Sequence, residues 1–239
     1  MSTPRRIRLR TALRRSGFDV VQKRPQLADL LRARGVGIVL DVGGNVGQFG
    51  RELRAWGYAG HIVSFEPIPE AAAALRSVSA GDARWEVAEY ALGAEAGTAT
   101  FHVSERTVFS SLRAPLERAH VFDATARTVR DIQVEVRRLD AVFDQYVEPD
   151  ARAFLKVDTQ GSETDVLDGA SGVWERIEGV QLELGVEPMY EGETLAPALI
   201  SRLADAGFRL AQVHPVIFDP SDGMASALQF DAVFARSVA

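Results

Sequence analysis

The pattern of apolar and polar positions predicts a chain in which strands and helices alternate. Short apolar runs bounded by turn residues predict strands at 37–42, 61–65, 84–88, 153–157, 179–184, 208–213 and 228–235. Apolar residues at helical spacing predict helices at 25–34, 48–56, 69–78, 163–175 and 194–206. Such alternation is typical of an α/β fold with a mostly parallel sheet and helices on both faces. Ligands of these sheets bind beyond the carboxyl ends of the strands, where we expect the functional residues.

Two further segments, 98–103 and 132–138, alternate side chains and predict an added pair of strands. The loop between them, at about 104–130, is expected to cover the ligand site. The length of 239 residues and the 46% hydrophobic content are enough for one full core. We therefore predict one domain over 36–239, preceded by a helical extension over 1–35.

A glycine-rich turn follows the first predicted strand. Asp41 ends the apolar run, Gly43, Gly44 and Gly47 follow, and helical spacing resumes at Phe49. A nucleoside-triphosphate loop needs a Lys and a Ser or Thr after its last glycine, but Gln48 and Phe49 stand there. The dinucleotide pattern G-x-G-x-x-G does not fit either, because Asn45 and Gln48 occupy its glycine positions. The pattern favours S-adenosylmethionine, with Asp41 and the loop backbone facing its sulfonium and amino-acid end.

The second predicted strand also ends in an acid. Glu66 lies 25 positions after Asp41 and precedes Pro67. An acid at this point can accept both hydroxyls of a ribose. The alternative is that Glu66 only caps the helix that begins near Pro69. The glycine turn beside it favours the ribose role.

Charge and composition exclude several classes of binding partner. The net charge of −6 and the pI of about 5.3 argue against a nucleic-acid partner, since phosphate contacts need a basic surface. The chain has no cysteine, which excludes disulfides and thiolate metal sites. No apolar run approaches the roughly 20 residues that span a bilayer. We therefore expect a cytoplasmic protein that acts on a small-molecule or glycosyl acceptor.

The N-terminus departs from this acidic balance. Six basic residues crowd it: Arg5, Arg6, Arg8, Arg10, Arg14 and Arg15. The segment is interpreted first as a helix that packs on the core. The alternatives are a basic amphipathic segment in peripheral contact with anionic membrane, and a transit peptide.

Several motifs occur in a characteristic order across about 36–235. They are DVGGNVG at 41–47, FEP at 65–67, ALG at 91–93, SSL at 110–112, LKVDTQGSE at 155–163, LDGA at 167–170, EL at 183–184 and MYEG at 189–192. In this order the chain resembles the FkbM family of S-adenosylmethionine-dependent methyltransferases. The resemblance implies a Rossmann-like class I methyltransferase fold with a mostly parallel seven-stranded sheet and a small added β-hairpin and loop cover.

The resemblance also implies a reaction. It suggests transfer of a methyl group to a hydroxyl of a sugar, a glycolipid or a secondary metabolite. Two other functions stay open: N-methylation of a small molecule, and a non-catalytic module that binds S-adenosylmethionine or a partner protein. A nicotinamide oxidoreductase is disfavoured by the glycine pattern.

Methyl transfer to an alcohol needs a base, because the hydroxyl must lose its proton. Asp158 ends the buried strand 153–157 and is the first candidate, and Glu183 ends the next strand. These two acids would also suit a divalent metal, but no ligand set with characteristic spacing is visible, so metal dependence stays open. Lys156, two residues before Asp158, allows a structural ion pair or a substrate contact. Glu163 either caps the following helix or contacts substrate.

The remaining candidates lie in loops and at strand ends. Glu89 follows the third strand and is expected to border adenine, while Ser110 and Ser111 in the covering loop are expected to hydrogen-bond the cofactor carboxylate or a sugar. The predicted catalytic residues are Asp158 and Glu183, and the predicted substrate residues are Gln160, Glu163 and His214. The predicted cofactor-binding residues are Asp41, Gly43, Gly44, Asn45, Gly47, Phe49, Glu66, Pro67, Glu89, Ser110 and Ser111.

Overall fold

A computed structural model describes residues 26–219, 223 and 226–237, apart from the side chains of 215 and 216. Its strands are β1 Val36–Val42, β2 His61–Phe65, β3 Trp85–Ala88, β4 Ala91–Leu92, β5 Gly97–Ser104, β6 Thr128–Arg137, β7 Arg152–Val157, β8 Ile177–Gly185, β9 Phe208–Phe218 and β10 Ala227–Arg236. Its α-helices are α1 Leu27–Ala33, α2 Gln48–Ala55, α3 Pro69–Ser79, α4 Glu117–Phe122, α5 Leu139–Tyr146, α6 Glu163–Gly169 and α7 Ala196–Asp205. Short 3₁₀ segments lie at Thr107–Phe109, Ala124–Ala126 and Ser171–Arg176.

The main sheet has seven strands in the order β3-β2-β1-β7-β8-β10-β9. The first five of these strands pair in parallel, and β10 runs antiparallel to both β8 and β9. The chain leaves β1 toward one edge and returns to β7 on the other side, so the order reverses between β1 and β7. A crevice opens at the carboxyl ends of the strands at such a reversal, and this is where ligands bind.

Apolar side chains fill both faces of this sheet. On one face Leu40 and Leu155 pack in a cluster with Phe143 of α5. On the other face Phe154 packs in a cluster with Leu31 of α1 and with Leu53 and Trp85. Successive residues of a strand point to opposite faces, so strands buried on both sides read as continuous apolar runs. This is why the core strands were visible in the sequence.

A second sheet, in the order β4-β6-β5, stands beside the crevice. The predicted added pair of strands is confirmed as β5 and β6, which are antiparallel to each other. Phe101 and Val134 of this sheet pack in a cluster with Ile68 and Ala71, which precede and begin α3. The segment between β5 and β6 contains two 3₁₀ turns and α4. Four of its residues reach the crevice: Thr107, Val108, Ser110 and Leu112.

The observed elements differ from the predicted ones at several points, and strand β4 is one that was not predicted. The helix predicted at 163–175 is α6, which ends at Gly169 and is followed by a 3₁₀ segment. A side chain at Gly169 would place its Cβ 2.2 Å from the carbonyl oxygen of Gly93, so the helix end fits tightly against β4. Helices α4 and α5 were not predicted. Strand β9 continues to Phe218, five residues beyond its predicted end.

Only part of the predicted N-terminal extension lies within the described residues. Within that part, helix α1 buries Leu27, Ala28 and Leu31, which pack in a cluster with residues of the main sheet. The arginine-rich segment, with its predicted membrane contact, lies outside the described residues. Among the residues that are described, no helix is long and apolar enough to cross a bilayer.

We expect Gly50→Ala to destabilise the protein by up to about 2 kcal/mol. The new Cβ would lie 2.1 Å from Cζ2 of Trp85, whose indole nitrogen donates to Ser64 and fixes the ring. Overpacking of this kind costs roughly 1–3 kcal/mol, which exceeds the gain of about 1 kcal/mol that Ala brings to a helix. Gly37→Ala is the matched control, because nothing lies within 4 Å of its Cβ. Urea unfolding should leave the control near the wild type, and equal stability of the two variants would contradict the packing argument.

Candidate active site

A cavity of about 270 Å³ opens at the carboxyl ends of β1, β2 and β7, where the chain order reverses. The predicted site residues that line it are Gly43, Gly44, Asn45, Phe49, Glu66, Pro67, Ser110, Asp158 and Gln160. Those outside its lining are Asp41, Gly47, Glu89, Ser111, Glu163, Glu183 and His214. The structure therefore brings the glycine turn, the acid after β2 and the loop after β7 to one cavity.

The glycine turn lets the ends of β1 and β7 approach each other. Gly43 has a φ of 80°, and a Cβ on it would lie 1.9 Å from the carbonyl oxygen of Asp158. A Cβ on Gly44 would lie 2.8 Å from Cβ of Ser64. The N–H groups of both glycines donate to Phe65 O, at 3.1 and 3.0 Å. The turn thus presents bare backbone to the cavity, while these two N–H groups serve the sheet rather than a ligand.

Glu66 is held at the cavity wall by two backbone donors. Asn45 N donates to its Oε2 at 2.9 Å and Ile68 N donates to its Oε1 at 2.8 Å. The second bond comes from the N–H of the residue that precedes α3, so Glu66 fixes the approach to this helix while it lines the cavity. Burial raises the pKa of Glu66 to about 7, and the two backbone bonds oppose this rise. Asn45 also accepts a hydrogen bond from Thr107 of the cover at 3.1 Å, which joins the cover to the glycine turn.

Lys156 forms the ion pair that the sequence left open. Its Nζ lies 3.1 Å from Asp41 Oδ1 and 3.5 Å from Asp158 Oδ2, and it donates to Gly43 O at 3.1 Å. Burial lowers the pKa of Lys156, but the charges of Asp41 and Asp158 outweigh it and the net direction is upward. Asp41 is completely buried and also accepts from Ser64 Oγ at 2.7 Å. Its contacts are with the protein, and the structure does not bring its side chain to the cavity.

Asp158 and Glu183 are joined by one amide. Gln160 Nε2 lies 2.9 Å from Asp158 Oδ1 and 2.5 Å from Glu183 Oε2. Gln229 donates to the other oxygen of Glu183 at 2.6 Å. Burial raises the pKa of Glu183 well above its ordinary value, and the charges of Asp158 and Asp231 act in the same direction. Asp158 reaches the cavity, whereas Glu183 lies behind Gln160, so only the first predicted base contacts the ligand space.

An acidic wall completes the cavity, and sequence reasoning missed it. It consists of Glu52 from α2, Gln181 from β8 and Asp231 from β10, which all belong to the lining. Burial raises the pKa of Asp231 to about 6, with a further rise from the charge of Asp158. The available signal was an acid inside the apolar strand predicted at 228–235. The charged residues of the lining are thus four acids, Glu52, Glu66, Asp158 and Asp231, and one base, Lys156.

Ser110 and Ser111 have different positions in the cover. Ser110 lines the cavity, and its Oγ accepts from Ser104 N at 2.9 Å. Ser111 donates to the carbonyl oxygen of Gln160 at 2.7 Å and so fastens the cover to the loop after β7. Contact of Ser110 with a ligand stays a prediction, while Ser111 is occupied by the protein itself.

Three other candidates are not brought to the cavity. Glu163 is buried and accepts from Thr159 N and Oγ1, at 2.9 and 3.1 Å, which closes the loop before α6. Glu89 is half exposed and pairs with Arg76. His214 lies on β9 at the edge of the sheet. Their predicted substrate and adenine contacts stay predictions that the lining does not support.

No group of three or more His, Asp or Glu residues suited to a metal ion occurs among the described residues. Asp158 and Glu183, the pair considered for a metal, have the Gln160 amide between them.

Comparison with known proteins identifies the family. Residues 41–210 match the family described as methyltransferase FkbM domain, which is more than half of the chain. The chain belongs to this family. Two relatives are similar to this chain over most of their own length. They are the 2-O-methyltransferase NoeI of Sinorhizobium fredii (strain NBRC 101917 / NGR234) and the methyltransferase sdnD of Sordaria araneosa. The first is 27% identical over 173 residues, 70% of each chain, and the second is 25% identical over 198 residues, 73% of this chain and 74% of sdnD.

Solved structures are similar at a lower level. SMU.1697c, a putative methyltransferase from Streptococcus mutans in complex with SAH, is 12% identical with a TM-score of 0.48, over 91% of this chain and 100% of that one. An rRNA methylase from Streptococcus thermophilus is 13% identical with a TM-score of 0.47, over 92% of this chain and 100% of that one. At these TM-scores neither structure is used to assign the fold, which the strand order of the main sheet defines. The expected class I methyltransferase fold is confirmed by the sheet topology and the FkbM-domain match.

We expect Glu163→Gln to make the stability of this FkbM-domain protein less dependent on pH. Burial raises the pKa of Glu163 to about 7. A carboxyl group with a raised pKa in the folded state stabilises the fold below its unfolded pKa of about 4.3, and this contribution is lost as the pH rises through the folded pKa. The unfolding free energy of the wild type should therefore fall between pH 5 and pH 8 by roughly 2 kcal/mol more than that of the variant.

The amide of the variant keeps an oxygen acceptor for Thr159, so the loop contact survives the substitution. Glu135→Gln is the matched control, since Glu135 is exposed and Arg137 lowers its pKa. Urea unfolding at both pH values measures the effect, and the same pH dependence in Glu163→Gln and wild type would refute it.

Proposed function

We propose that this FkbM-family protein is an S-adenosylmethionine-dependent O-methyltransferase that acts on a hydroxyl of a small acceptor, such as a sugar, a glycolipid headgroup or a secondary metabolite. The observation that carries the proposal is the Asp158 carboxylate, which faces the cavity beside the glycine turn. Lys156 holds one of its oxygens and Gln160 holds the other. A base fixed in this way at the reversal point of a methyltransferase sheet suits proton removal from an alcohol.

The cavity fits the cofactor. Gly43 and Gly44 line it without side chains, and the carboxylate of Glu66 lies in the same lining. Each oxygen accepts one backbone bond and keeps lone-pair capacity, which suits a pair of ribose hydroxyls. Ile68 and Leu92 of the lining supply apolar contacts for a planar base. When bound, S-adenosylmethionine supplies an electrophilic methyl group on a positively charged sulfur.

Asp158 is the base in this proposal. The acceptor hydroxyl gives its proton to the Asp158 carboxylate, and the acceptor oxygen becomes the nucleophile. The Lys156 ammonium lies 3.5 Å from Oδ2 of that carboxylate. The cover around Ser110 limits access of water to the site. A positioned base of this kind contributes roughly 10²–10⁴-fold to the rate.

The charge of the cavity indicates the acceptor class. Glu52, Asp158 and Asp231 would repel a phosphate or carboxylate on the acceptor. The ring of Phe49 and the amide of Gln181 offer apolar and hydrogen-bonding contacts to a hydroxylated ring. The FkbM family suggests a small-molecule acceptor, and the similarity to a 2-O-methyltransferase supports oxygen as the methylated atom. The net charge of −6 supports the same conclusion over a nucleic-acid substrate.

The acidic wall also favours a second candidate, N-methylation of an amine, because acids bind a protonated amine. The two reactions are separated by the acceptors that turn over. A non-catalytic module would bind the cofactor without turnover of any acceptor.

We expect Glu66→Gln to weaken binding of both S-adenosylmethionine and S-adenosylhomocysteine about 10- to 100-fold. The reason is the loss of charge-assisted hydrogen bonds to the ribose, worth roughly 1.5–3 kcal/mol. Glu70→Gln is the control, because Glu70 is exposed on α3 and pairs with Arg130. Isothermal titration calorimetry measures the three proteins. Wild-type affinity in Glu66→Gln would exclude the ribose role, and a wild type that binds neither ligand would defeat the proposed function.

We expect Asp158→Asn to lower kcat for methylation of a hydroxyl by about 10²–10⁴-fold, while S-adenosylhomocysteine still binds. The first step is a mass-spectrometric screen with neutral glycosides, sugar phosphates and simple amines. Neutral glycosides should be methylated and sugar phosphates should not. Asp131→Asn, which changes an exposed acid paired with His102, should keep full activity. Full activity of Asp158→Asn would remove Asp158 as the base.

A further inference from the structure

The side-chain amide of Gln160 has no donor left for a ligand. Its nitrogen carries two hydrogens and lies within hydrogen-bond distance of one carboxylate oxygen each from Asp158 and Glu183. Its oxygen accepts from the hydroxyl of Tyr190 at 2.9 Å. This orientation of the amide is the one that places the nitrogen, not the oxygen, against the two acids. Gln160 was predicted to contact substrate, but its polar atoms are committed to the protein.

The backbone at Gln160 is also unusual. Its φ is 57°, and among the described residues Asn45 is the only other residue apart from glycine with a positive φ. A residue with a Cβ pays roughly 1 kcal/mol or more for this conformation, which glycine adopts freely. Both exceptions line the cavity, and both have side chains that bond to other parts of the site. A glycine at position 160 would remove this strain but also the amide that bonds to Asp158 and Glu183, so we infer that the side chain has a role in the site.

We propose that Gln160 is a positioning residue that holds the Asp158 carboxylate toward the cavity by linking it to the buried carboxyl group of Glu183. The inference rests on the proposed function, since it assigns how the base is oriented. Asp158 is held between two partners that face it from different sides. Lys156 draws Oδ2 toward buried Asp41, and Gln160 draws Oδ1 toward Glu183.

The charged and titratable groups that surround Asp158 make this second contact necessary. Lys156 lies on its own strand β7, Glu183 on β8, Asp231 on β10, Glu163 on α6 and Tyr190 in the loop after β8. Only Lys156 attracts the carboxylate, and three of the others are acids. Without the Gln160 amide, the carboxylate would turn toward Lys156 and away from Glu183.

The test compares two ligands that differ in charge at the methyl position. Sinefungin has a protonated amine at that position, whereas S-adenosylhomocysteine has only a neutral thioether sulfur there. If Asp158 faces that position, calorimetry should show that the wild type prefers sinefungin about tenfold, the effect of one charge-assisted hydrogen bond. Gln160→Met removes the donor and should bring the ratio of the two dissociation constants close to one. The affinity for S-adenosylhomocysteine should change little.

Gln229→Met is the matched control, because Gln229 donates to Glu183 but has no bond to Asp158. It should keep the wild-type ratio, whereas Asp158→Asn should lose it. If Gln160→Met does not fold, Gln160→Asn takes its place, since its amide is one methylene too short to span both acids. A melting curve of each variant shows which protein is folded.

An unchanged ratio in the Gln160 variant overturns the inference, and so does an equal loss in the Gln229 variant, which would assign the effect to Glu183. These outcomes leave the proposed function intact. A wild type that binds neither ligand overturns the proposed function and the inference with it.

Discussion

The site depends on one buried cation. The Lys156 ammonium lies between Asp41 and Asp158 and binds the carbonyl oxygen of Gly43, so it joins the end of β1, the glycine turn and the end of β7. An unpaired charge at this depth would be very costly, and loss of one partner of a buried pair typically costs about 3–5 kcal/mol. Lys156, Asp41 and Asp158 therefore stay in contact in the folded protein. The same contacts fix Asp158, the proposed base, relative to the glycine turn.

Burial disfavours the ionised form of three carboxyl groups in this region of the fold. Burial raises the pKa of Glu66 and Glu163 to about 7 and that of Asp231 to about 6. Each of these groups loses its proton in the folded protein only at a higher pH than it would in water, and its ionisation there lowers the stability of the fold. Acids with raised pKa values cluster at functional sites, because proton transfer works best when the pKa of the base is near the working pH. Two of these three acids, Glu66 and Asp231, line the cavity, so part of this cost in stability falls at the candidate site.

The fold was largely predictable. The buried strands and the two added strands appeared as apolar runs and alternating patterns, because burial on two faces or on one face leaves its mark on every residue. Helix α5 was missed although it buries Leu139, Val142 and Phe143, since it follows β6 directly and no break separates the two patterns. The cavity residues of the glycine turn, Glu66 and Asp158 were found because each stands at a strand end, where the side chain points toward the ligand crevice.

The sequence by itself determined the class of fold, the family and the position of the proposed base, since these depend on local patterns and on short motifs. It did not determine which acids share the cavity. Across β8 and β10 Glu183 is paired with Asp231, and only Asp231 reaches the cavity because the Gln160 side chain lies in front of Glu183. That arrangement follows from the register of an antiparallel strand that enters the sheet more than forty residues later and from a left-handed residue in a loop. Such long-range pairing leaves no local pattern, so only the tertiary structure decides it.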